Sequence, residues 1–255
     1  GFASWGTFEE VGLRGLLQQR TLLEAAAASD DAVTRLLGDL YASGMNEAAI
    51  EKAGAQPLRP LLDRIGKVTR PRDVAPAIAE LHARGIPVLF DFGANDDLKN
   101  PARRIAYANQ GGLGLSDRDY YLREDADTRL LLTAYQGYVE RLLTLTGSPA
   151  ATAAAEAEVV VGIEKRLALA SLSLLQLRDP NNSYRMVQVK DIDKTFPAME
   201  WRKFLKAQGA SSVGTISLAH TAFFREADAL VRSVPPEQWR AYLRFHLAHA
   251  MAPYL

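Results

Sequence analysis

The chain has 255 residues, 48% of them hydrophobic, and its 30 basic and 30 acidic residues cancel. This is the composition of an ordinary globular protein with a sizeable core, and the charge balance gives no reason to expect nucleic acid or an anionic membrane as a partner. The absence of cysteine excludes disulfides, thiolate zinc sites, iron–sulfur clusters and cysteine nucleophiles.

Neither a membrane span nor a leader is expected in these residues. No apolar run approaches the ~18–20 residues needed to cross a bilayer. The chain opens on Gly1-Phe2-Ala3-Ser4-Trp5 rather than on a basic stretch followed by an apolar one, so no signal peptide is predicted.

Helical periodicity dominates the chain. Apolar residues at i, i+3, i+4, i+7 and i+8 follow a capping stretch at Ser29-Asp30-Asp31 and predict a helix: Val33, Leu36, Leu37, Leu40 and Tyr41. The same pattern predicts a helix through Leu58, Leu61, Leu62 and Ile65. Further helices are predicted over Asp73–Gly85, Asp127–Thr146, Ala150–Ser171 and the stripe from Trp239 to Ala250.

Two stretches depart from the helical pattern. Pro87–Gly93 and Arg103–Ala108 are typical of paired strands, joined by a polar turn from Asn95 to Pro101, and Gly214–Leu218 is a third short strand candidate. The predicted fold is therefore all-α, a multihelical lobe with a small antiparallel β-hairpin inserted near residues 87–108.

The glycine-rich segment Gly111-Gly112-Leu113-Gly114 follows a predicted strand, as phosphate-binding loops do. The dinucleotide fingerprint needs a third spaced glycine that opens a helix, and the P-loop needs a lysine followed by serine or threonine. Here Leu115-Ser116-Asp117-Arg118-Asp119 follows instead. The pattern favours a tight turn.

His246 and His249 stand at i, i+3 on the last predicted helix, a spacing that offers two metal ligands. The peptidase pattern His-Glu-x-x-His is absent from the sequence. His246 lies in the apolar stripe, which favours a hydrogen-bonded core histidine over a zinc ligand. His82 and His220 are isolated.

Three pairs of neighbouring carboxylates are candidate calcium ligands: Asp96-Asp97, Asp117/Asp119 and Asp191/Asp193. None has the alternate ligands, central glycine and distal glutamate of a calcium loop. Solvated turns and helix caps are the prediction for all three. The residues alone predict neither a catalytic nor a metal site, and leave the substrate-binding residues unknown.

Several short sequence segments between Trp5 and Trp201 resemble the neprilysin and endothelin-converting-enzyme family of zinc metallopeptidases, and they occur in the same order as in that family. The most specific is Gln110–Leu122, which reads QGGLGLSDRDYYL. The residues that carry the resemblance, all with a structural interpretation as turn, cap or packing residues, are Trp5, Gly6, Phe8, Tyr41, Ser43, Gly111, Gly112, Leu113, Gly114, Asp117, Arg118, Asp119, Tyr120, Tyr121, Glu164, Arg178, Asp179, Pro180 and Tyr184.

The resemblance implies a function that the residues alone do not. It implies that residues 1–255 form the N-terminal helical lobe of a periplasmic or secreted peptidase, which faces a catalytic lobe across a cavity and restricts entry to small peptides. Zinc and the general base would come from a His-Glu-x-x-His helix and a later glutamate downstream, so this chain alone is expected to be non-catalytic and to bind no zinc. The alternative is a stand-alone helical module that binds peptides or proteins.

Three positions depart from the family pattern. Gly44 stands in place of a cysteine, so the disulfide of animal members cannot form, which fits a bacterial protein. Ser116 replaces a proline and loosens that turn. Ser4 stands where some members have an arginine for the substrate carboxylate.

Two structural expectations follow from these patterns. The turn from Gln110 to Tyr121 should be ordered, with one of its two adjacent tyrosines buried and its hydroxyl bonded. The two ends of the chain, Phe2–Phe8 and Met251–Leu255, should expose apolar surface left by a missing neighbour.

Overall fold

The computed structural model describes residues 6–254, so Ser4 and Trp5 lie outside the described residues. The chain divides into two compact units, one of residues 1–56 with 254–255 and one of Pro57–Pro253. Each unit is described by itself.

The described part of the first unit contains three helices, α1 (Thr7–Ala26), α2 (Ala32–Gly44) and α3 (Glu47–Ala53). The Asp31 side chain accepts a hydrogen bond from the Thr34 N–H, as the predicted capping stretch requires. Gly38 allows α2 to pack closely against the end of α1, because a Cβ at this position would lie 2.1 Å from the backbone nitrogen of Ala27.

Apolar side chains of the first unit are largely exposed. Phe8 is 94% exposed, as expected for the start of the chain. The exposure extends further than predicted, because the apolar stripe that predicts α2 is also exposed: Val33, Leu36, Leu37 and Leu40. At the other end of the chain Tyr254 is exposed as well.

The second unit contains the remaining helices and all the described strands. Its helices are α4 (Arg59–Gly66), α5 (Val74–Ala83), α6 (Ala126–Leu145), α7 (Ala150–Ala170), α8 (Leu174–Leu177), α9 (Val189–Thr195), α10 (Trp201–Ala207), α11 (Thr221–Ser233) and α12 (Pro236–Met251). Its strands are β1 (Phe90–Asp97), β2 (Asn100–Gln110), β3 (Met186–Gln188) and β4 (Thr215–Leu218). The predicted mainly helical fold with an inserted hairpin is confirmed.

The strands form one mixed sheet in the order β1-β2-β4-β3. β1 and β2 make the predicted antiparallel hairpin, β4 confirms the third short strand, and β2 pairs with β4 in parallel. The predicted polar turn from Asn95 to Pro101 is wrong in extent, because Asn95 pairs with Ile105 and the turn is confined to Leu98 and Lys99. Thus the hairpin projects further than the sequence indicated.

Two buried clusters hold the second unit together. The core of α7, with Val160 and Leu167 inside, packs against α6, α11 and α12. Beneath the hairpin, aromatic rings pack at tilted or edge-to-face angles with centroids 5.1 to 6.0 Å apart: Phe90, Trp201, Phe204 and Phe224. Each fully buried ring contributes roughly 1.5–3 kcal/mol. These contacts fix the hairpin against the helices and so position the site described next.

Candidate functional site

The glycine-rich segment leaves β2 and forms a close-packed turn. Gly112 has φ +70°, in the left-handed region, and a Cβ there would lie 2.5 Å from the Tyr242 hydroxyl. A Cβ on Gly114 would lie 2.0 Å from the Tyr135 hydroxyl. Glycine is therefore required at both positions by the approach of tyrosines, as the prediction of a tight turn implied.

The Glu164 carboxylate lies at the centre of this site and is fully buried. It accepts hydrogen bonds from the Gly114 N–H at 3.1 Å, from the Tyr121 hydroxyl at 3.1 Å and from the Tyr135 hydroxyl at 2.8 Å. His246 Nε2 lies 3.0 Å from Glu164 Oε1, with its N–H outside normal hydrogen-bond alignment. A buried carboxylate is stable only with such partners, so this group anchors the turn to α6, α7 and α12.

The prediction that one of the two adjacent tyrosines is buried is confirmed. Tyr121 is 2% exposed and Tyr120 is 37% exposed. The Tyr121 hydroxyl accepts the Leu115 N–H at 2.9 Å and donates to Glu164. Burial, together with the negative charge of Glu164, raises the pKa of Tyr121 above its usual range, so the hydroxyl stays protonated and acts as a donor.

The polar residues after the glycines close the turn. Asp117 accepts the Asp119 N–H at 3.0 Å and caps a 3-10 turn, Arg118–Tyr121. Arg118 donates to the carbonyl of Ser171, which follows the last residue of α7, and pairs with Asp119 at 3.2 Å. A cation at the carboxyl end of a helix is favourable, so Arg118 ties the turn to α7.

The other residues carrying the family resemblance lie elsewhere. Asp179 accepts the Asn181 N–H and caps a short 3-10 turn, Pro180–Asn182, that follows Arg178. In the first unit Gly6 is the residue before α1, while Tyr41 and Ser43 lie in α2, where the Ser43 hydroxyl donates to the Leu40 carbonyl. These positions form local turns and helix contacts.

The prediction that Asp97 lies in a solvated turn is wrong. Asp97 is 3% exposed and accepts hydrogen bonds from the Tyr184 hydroxyl at 2.8 Å and the Lys99 N–H at 2.9 Å. Arg103 also pairs with it at 3.1 Å. These donors, with the Lys99 N–H the strongest, lower the pKa of Asp97. Tyr184 thereby holds the tip of the hairpin, a role that the spacing of these residues gave no means to foresee.

Two cavities flank the start of the hairpin. The first, here called the hairpin groove, has a volume of about 690 Å³ and is lined by β1, the end of β2, Leu177 and His220. The second, of about 400 Å³, is lined by the glycine turn, Arg118, His246 and His249. Both cavities share Pro87, Asp91, Gln110 and Leu177, so Asp91 stands at their junction.

Asp91 and His220 are polar groups of the groove. Asp91 was not predicted as a functional residue, and His220 was predicted to be isolated. Asp91 is solvent-accessible as a residue, but partial burial of its carboxyl group raises its pKa. His220 accepts the Gln110 N–H at its Nδ1. Burial lowers the pKa of His220, and the Asn182 backbone raises it by a smaller amount. The alternation of Phe90 and Phe92 with Asp91 was the one signal in the sequence, since it marks a polar strand face.

The described histidine and carboxylate side chains do not provide the ligands of a zinc ion. Among residues 6–254 no three histidine or carboxylate side chains converge as a metal site requires. His246 faces Glu164, and His249 lies 2.9 Å from the Tyr138 hydroxyl, with its pKa lowered by burial. The described residues therefore do not fit a catalytic zinc. None of the described helices is long and apolar enough to cross a membrane.

The fold and this site define a mainly helical lobe in which buried polar groups hold a glycine turn beside two cavities. A family model described as Peptidase family M13 matches residues 1–255, and the chain belongs to that family. The expected relationship to neprilysin and the endothelin-converting enzymes is confirmed.

Known relatives agree with this assignment. Endothelin-converting enzyme 1 of Bos taurus is 29% identical over 213 residues, which cover 80% of this chain and 28% of that protein. Neprilysin-3 of Drosophila melanogaster is 28% identical over 212 residues, 79% of this chain and 27% of that protein. The chain thus spans less than a third of the length of these relatives.

Solved structures show the same fold. The Mycobacterium tuberculosis zinc metalloprotease Zmp1 in complex with an inhibitor superposes with a TM-score of 0.90 at 27% identity, covering 100% of this chain and 39% of that one. PepO from Lactobacillus rhamnosis matches with a TM-score of 0.71 at 14% identity, covering 93% of this chain and 38% of that one, and shows the fold alone.

Proposed function

We propose that residues 1–255 are the N-terminal helical lobe of a zinc metallopeptidase that hydrolyses small peptides. The observation that carries this proposal is the family match over the whole chain, combined with the small share of each relative that the chain spans. The lobe forms part of the substrate cavity and restricts access to it, and the peptidase acts in the periplasm or outside the cell.

In this proposal the lobe itself is not catalytic. Zinc, when bound by a region downstream of Leu255, would activate a water molecule with a glutamate as base. The residues of this lobe would position the peptide substrate and restrict access to the substrate cavity. The buried Glu164 cluster keeps the glycine turn rigid, and the two cavities beside it supply a concave surface for a peptide.

The downstream sequence of the same gene tests the proposal first. A His-Glu-x-x-His motif followed by a further glutamate is expected. A stop codon near Leu255 would contradict the proposal and favour the stand-alone binding module.

Activity and metal content provide the second test. The longer protein should hydrolyse a short fluorogenic peptide and hold about one zinc per chain. The 255-residue chain, purified in parallel, should do neither. A variant of the longer protein in which the motif glutamate is replaced by glutamine is the matched control, and zinc retained without hydrolysis is its expected result. Hydrolysis by the 255-residue chain alone would refute the assignment of a non-catalytic role.

A further inference from the structure

β1 is an edge strand with an open side. In the order β1-β2-β4-β3, β1 pairs with β2 alone among the described residues. Its residues Asp91 and Gly93–Asp96 are exposed. An edge strand presents a row of backbone N–H and C=O groups without partners, which is the surface to which an extended peptide adds as a further strand.

The hairpin groove lies directly along this strand. Its volume of about 690 Å³ falls within the roughly 300–1,000 Å³ typical of ligand sites. Apolar side chains line much of it, namely Pro87, Phe92, Leu98 and Leu177. Gly93 also lines the groove, and nothing lies within 4 Å of the position that its Cβ would occupy. The groove therefore has room for side chains of an added strand.

The charge of the groove is negative and incompletely paired. The Asp91 carboxylate makes no hydrogen bond or ion pair of normal geometry with any described residue, and partial burial raises its pKa. Within residues 6–254, the Asp96 carboxylate, further along β1, pairs only with Arg104, at 3.6 Å, and both side chains are mostly exposed. A partly desolvated carboxylate without a cation is readily stabilised by a basic group from a ligand.

We propose that the hairpin groove binds an extended peptide segment, which adds to the free edge of β1 and places a lysine or arginine side chain against Asp91. This inference rests on the proposed function, because it names a class of peptide that the lobe would hold. Regular pairing of β1 with β2 runs from Phe90 to Asp96, before the register shift at Asp97, so β1 offers seven residues at ~3.3 Å each.

The same charges disfavour a second copy of the chain as the occupant. A second β1 strand, Phe90–Asp97, would bring three carboxylates and no basic residue to the groove. Like charges brought together on paired strands destabilise the pair. A basic peptide would instead bring a positive charge to Asp91, and so it is favoured over a second copy of the chain.

Binding to the 255-residue chain, measured by fluorescence anisotropy, tests the inference without any hydrolysis. The probe is a capped, fluorescein-labelled peptide of nine residues, alternating threonine and valine with one central lysine. Two matched probes carry a central norleucine, or N-methyl groups on alternate amides. We expect the lysine peptide to bind about tenfold more tightly than the norleucine peptide, and N-methylation to abolish binding because it removes backbone donors.

Variants assign the binding to the groove. Gly93→Leu should abolish binding by filling the groove, and Ala102→Leu, the same change in bulk at an exposed position of β2 outside it, should leave binding unchanged. Asp91→Asn should remove the preference for lysine over norleucine while retaining the fold. Circular dichroism establishes folding of each variant.

Several outcomes would overturn the inference. Equal binding of the N-methylated probe, an unchanged lysine preference in Asp91→Asn, or concentration-dependent dimerisation that Gly93→Leu removes would each do so. The proposed function can fail independently of this inference. If the longer protein has no peptidase activity while the lysine peptide still binds, the peptidase assignment is wrong and the peptide-binding groove is supported. If no peptide binds and Gly93→Leu leaves hydrolysis by the longer protein unchanged, the groove inference is wrong and the peptidase assignment is supported.

Discussion

The hydroxyl of Tyr135, on α6, lies 2.8 Å from Oε2 of Glu164, on α7, and both residues are buried. The two residues are 29 positions apart in sequence. Their contact, shared with Tyr121 and Gly114, makes a carboxylate the point to which the glycine turn and α6 are both tied. Because every hydroxyl and N–H around it donates, the site requires an acceptor at position 164.

Replacement of Glu164 by glutamine is therefore expected to destabilise the chain strongly. The amide nitrogen would face donors instead of accepting from them, leaving buried groups unsatisfied. A loss of about 3 kcal/mol in the free energy of unfolding is expected. Urea denaturation measures it, with Glu158→Gln on the exposed side of α7 as the control that should change stability by less than about 0.5 kcal/mol. Equal effects of both substitutions would contradict the role assigned to Glu164.

The adjacent tyrosines should differ sharply when their hydroxyls are removed. Tyr121→Phe deletes a hydroxyl that bonds both the Leu115 N–H and Glu164, so a loss of about 1–2 kcal/mol is expected. Tyr120→Phe, which alters a partly exposed ring, should change stability by a few tenths of a kcal/mol. Thermal unfolding of the two variants side by side checks the difference. Similar losses would mean that the hydroxyl bonds of Tyr121 contribute little.

Local patterns in the sequence account for most of the fold. Apolar periodicity predicts α2, α6, α7 and α12, and the run from Pro87 to Gly93 predicts β1. The helices α9, α10 and α11 were not predicted. Two of them are only seven residues long, so they hold too few turns for periodicity to be read. Helix α1 was also missed, because glycines interrupt its apolar pattern.

The site was much less accessible to sequence reasoning. Tyr184 and Asp97 are 87 positions apart, and nothing in either local pattern indicates their hydrogen bond. The prediction of a solvated Asp97 followed from its turn-like neighbours and failed because the tertiary fold brings Tyr184 over it. The glycine turn, by contrast, was predictable, because the segment Gly111-Gly112-Leu113-Gly114 is itself the signal of a tight turn. The structure adds the reason, since close contacts require glycine at positions 112 and 114.

Two glycines should respond to alanine in opposite directions. At Gly114 an added methyl group would lie 2.0 Å from the Tyr135 hydroxyl, so Gly114→Ala should destabilise the chain by about 1–3 kcal/mol through overpacking. At Gly162, on the exposed side of α7, nothing lies within 4 Å, and Gly162→Ala should stabilise by about 0.5–1 kcal/mol through higher helix propensity. Chemical denaturation measures both. Stabilisation by both substitutions would show that the turn yields to accommodate a side chain.

The contact between Asp97 and Tyr184 should make part of the chain's stability depend on pH in the acidic range. Hydrogen bonds from the Lys99 N–H and the Tyr184 hydroxyl, with the charge of Arg103, lower the pKa of Asp97 in the folded state. A lowered folded pKa means that the contribution is complete above the unfolded value of about 3.9 and is lost as the pH falls through the folded value.

Asp97→Asn, which cannot ionise, isolates that contribution. The wild-type chain should melt at a higher temperature than the variant at pH 5 to 7. The gap should narrow as the pH falls below about 4, because Asp97 takes up a proton in the unfolded chain before it does so in the folded one. Calorimetric melting at intervals of pH measures the gap. Asp96→Asn is the matched control, because Asp96 makes only a surface ion pair with Arg104, and its gap should be small throughout. If the melting temperatures of wild type and Asp97→Asn differ equally at pH 3 and pH 7, Asp97 stabilises the hairpin tip through packing and not through the charge of its carboxylate.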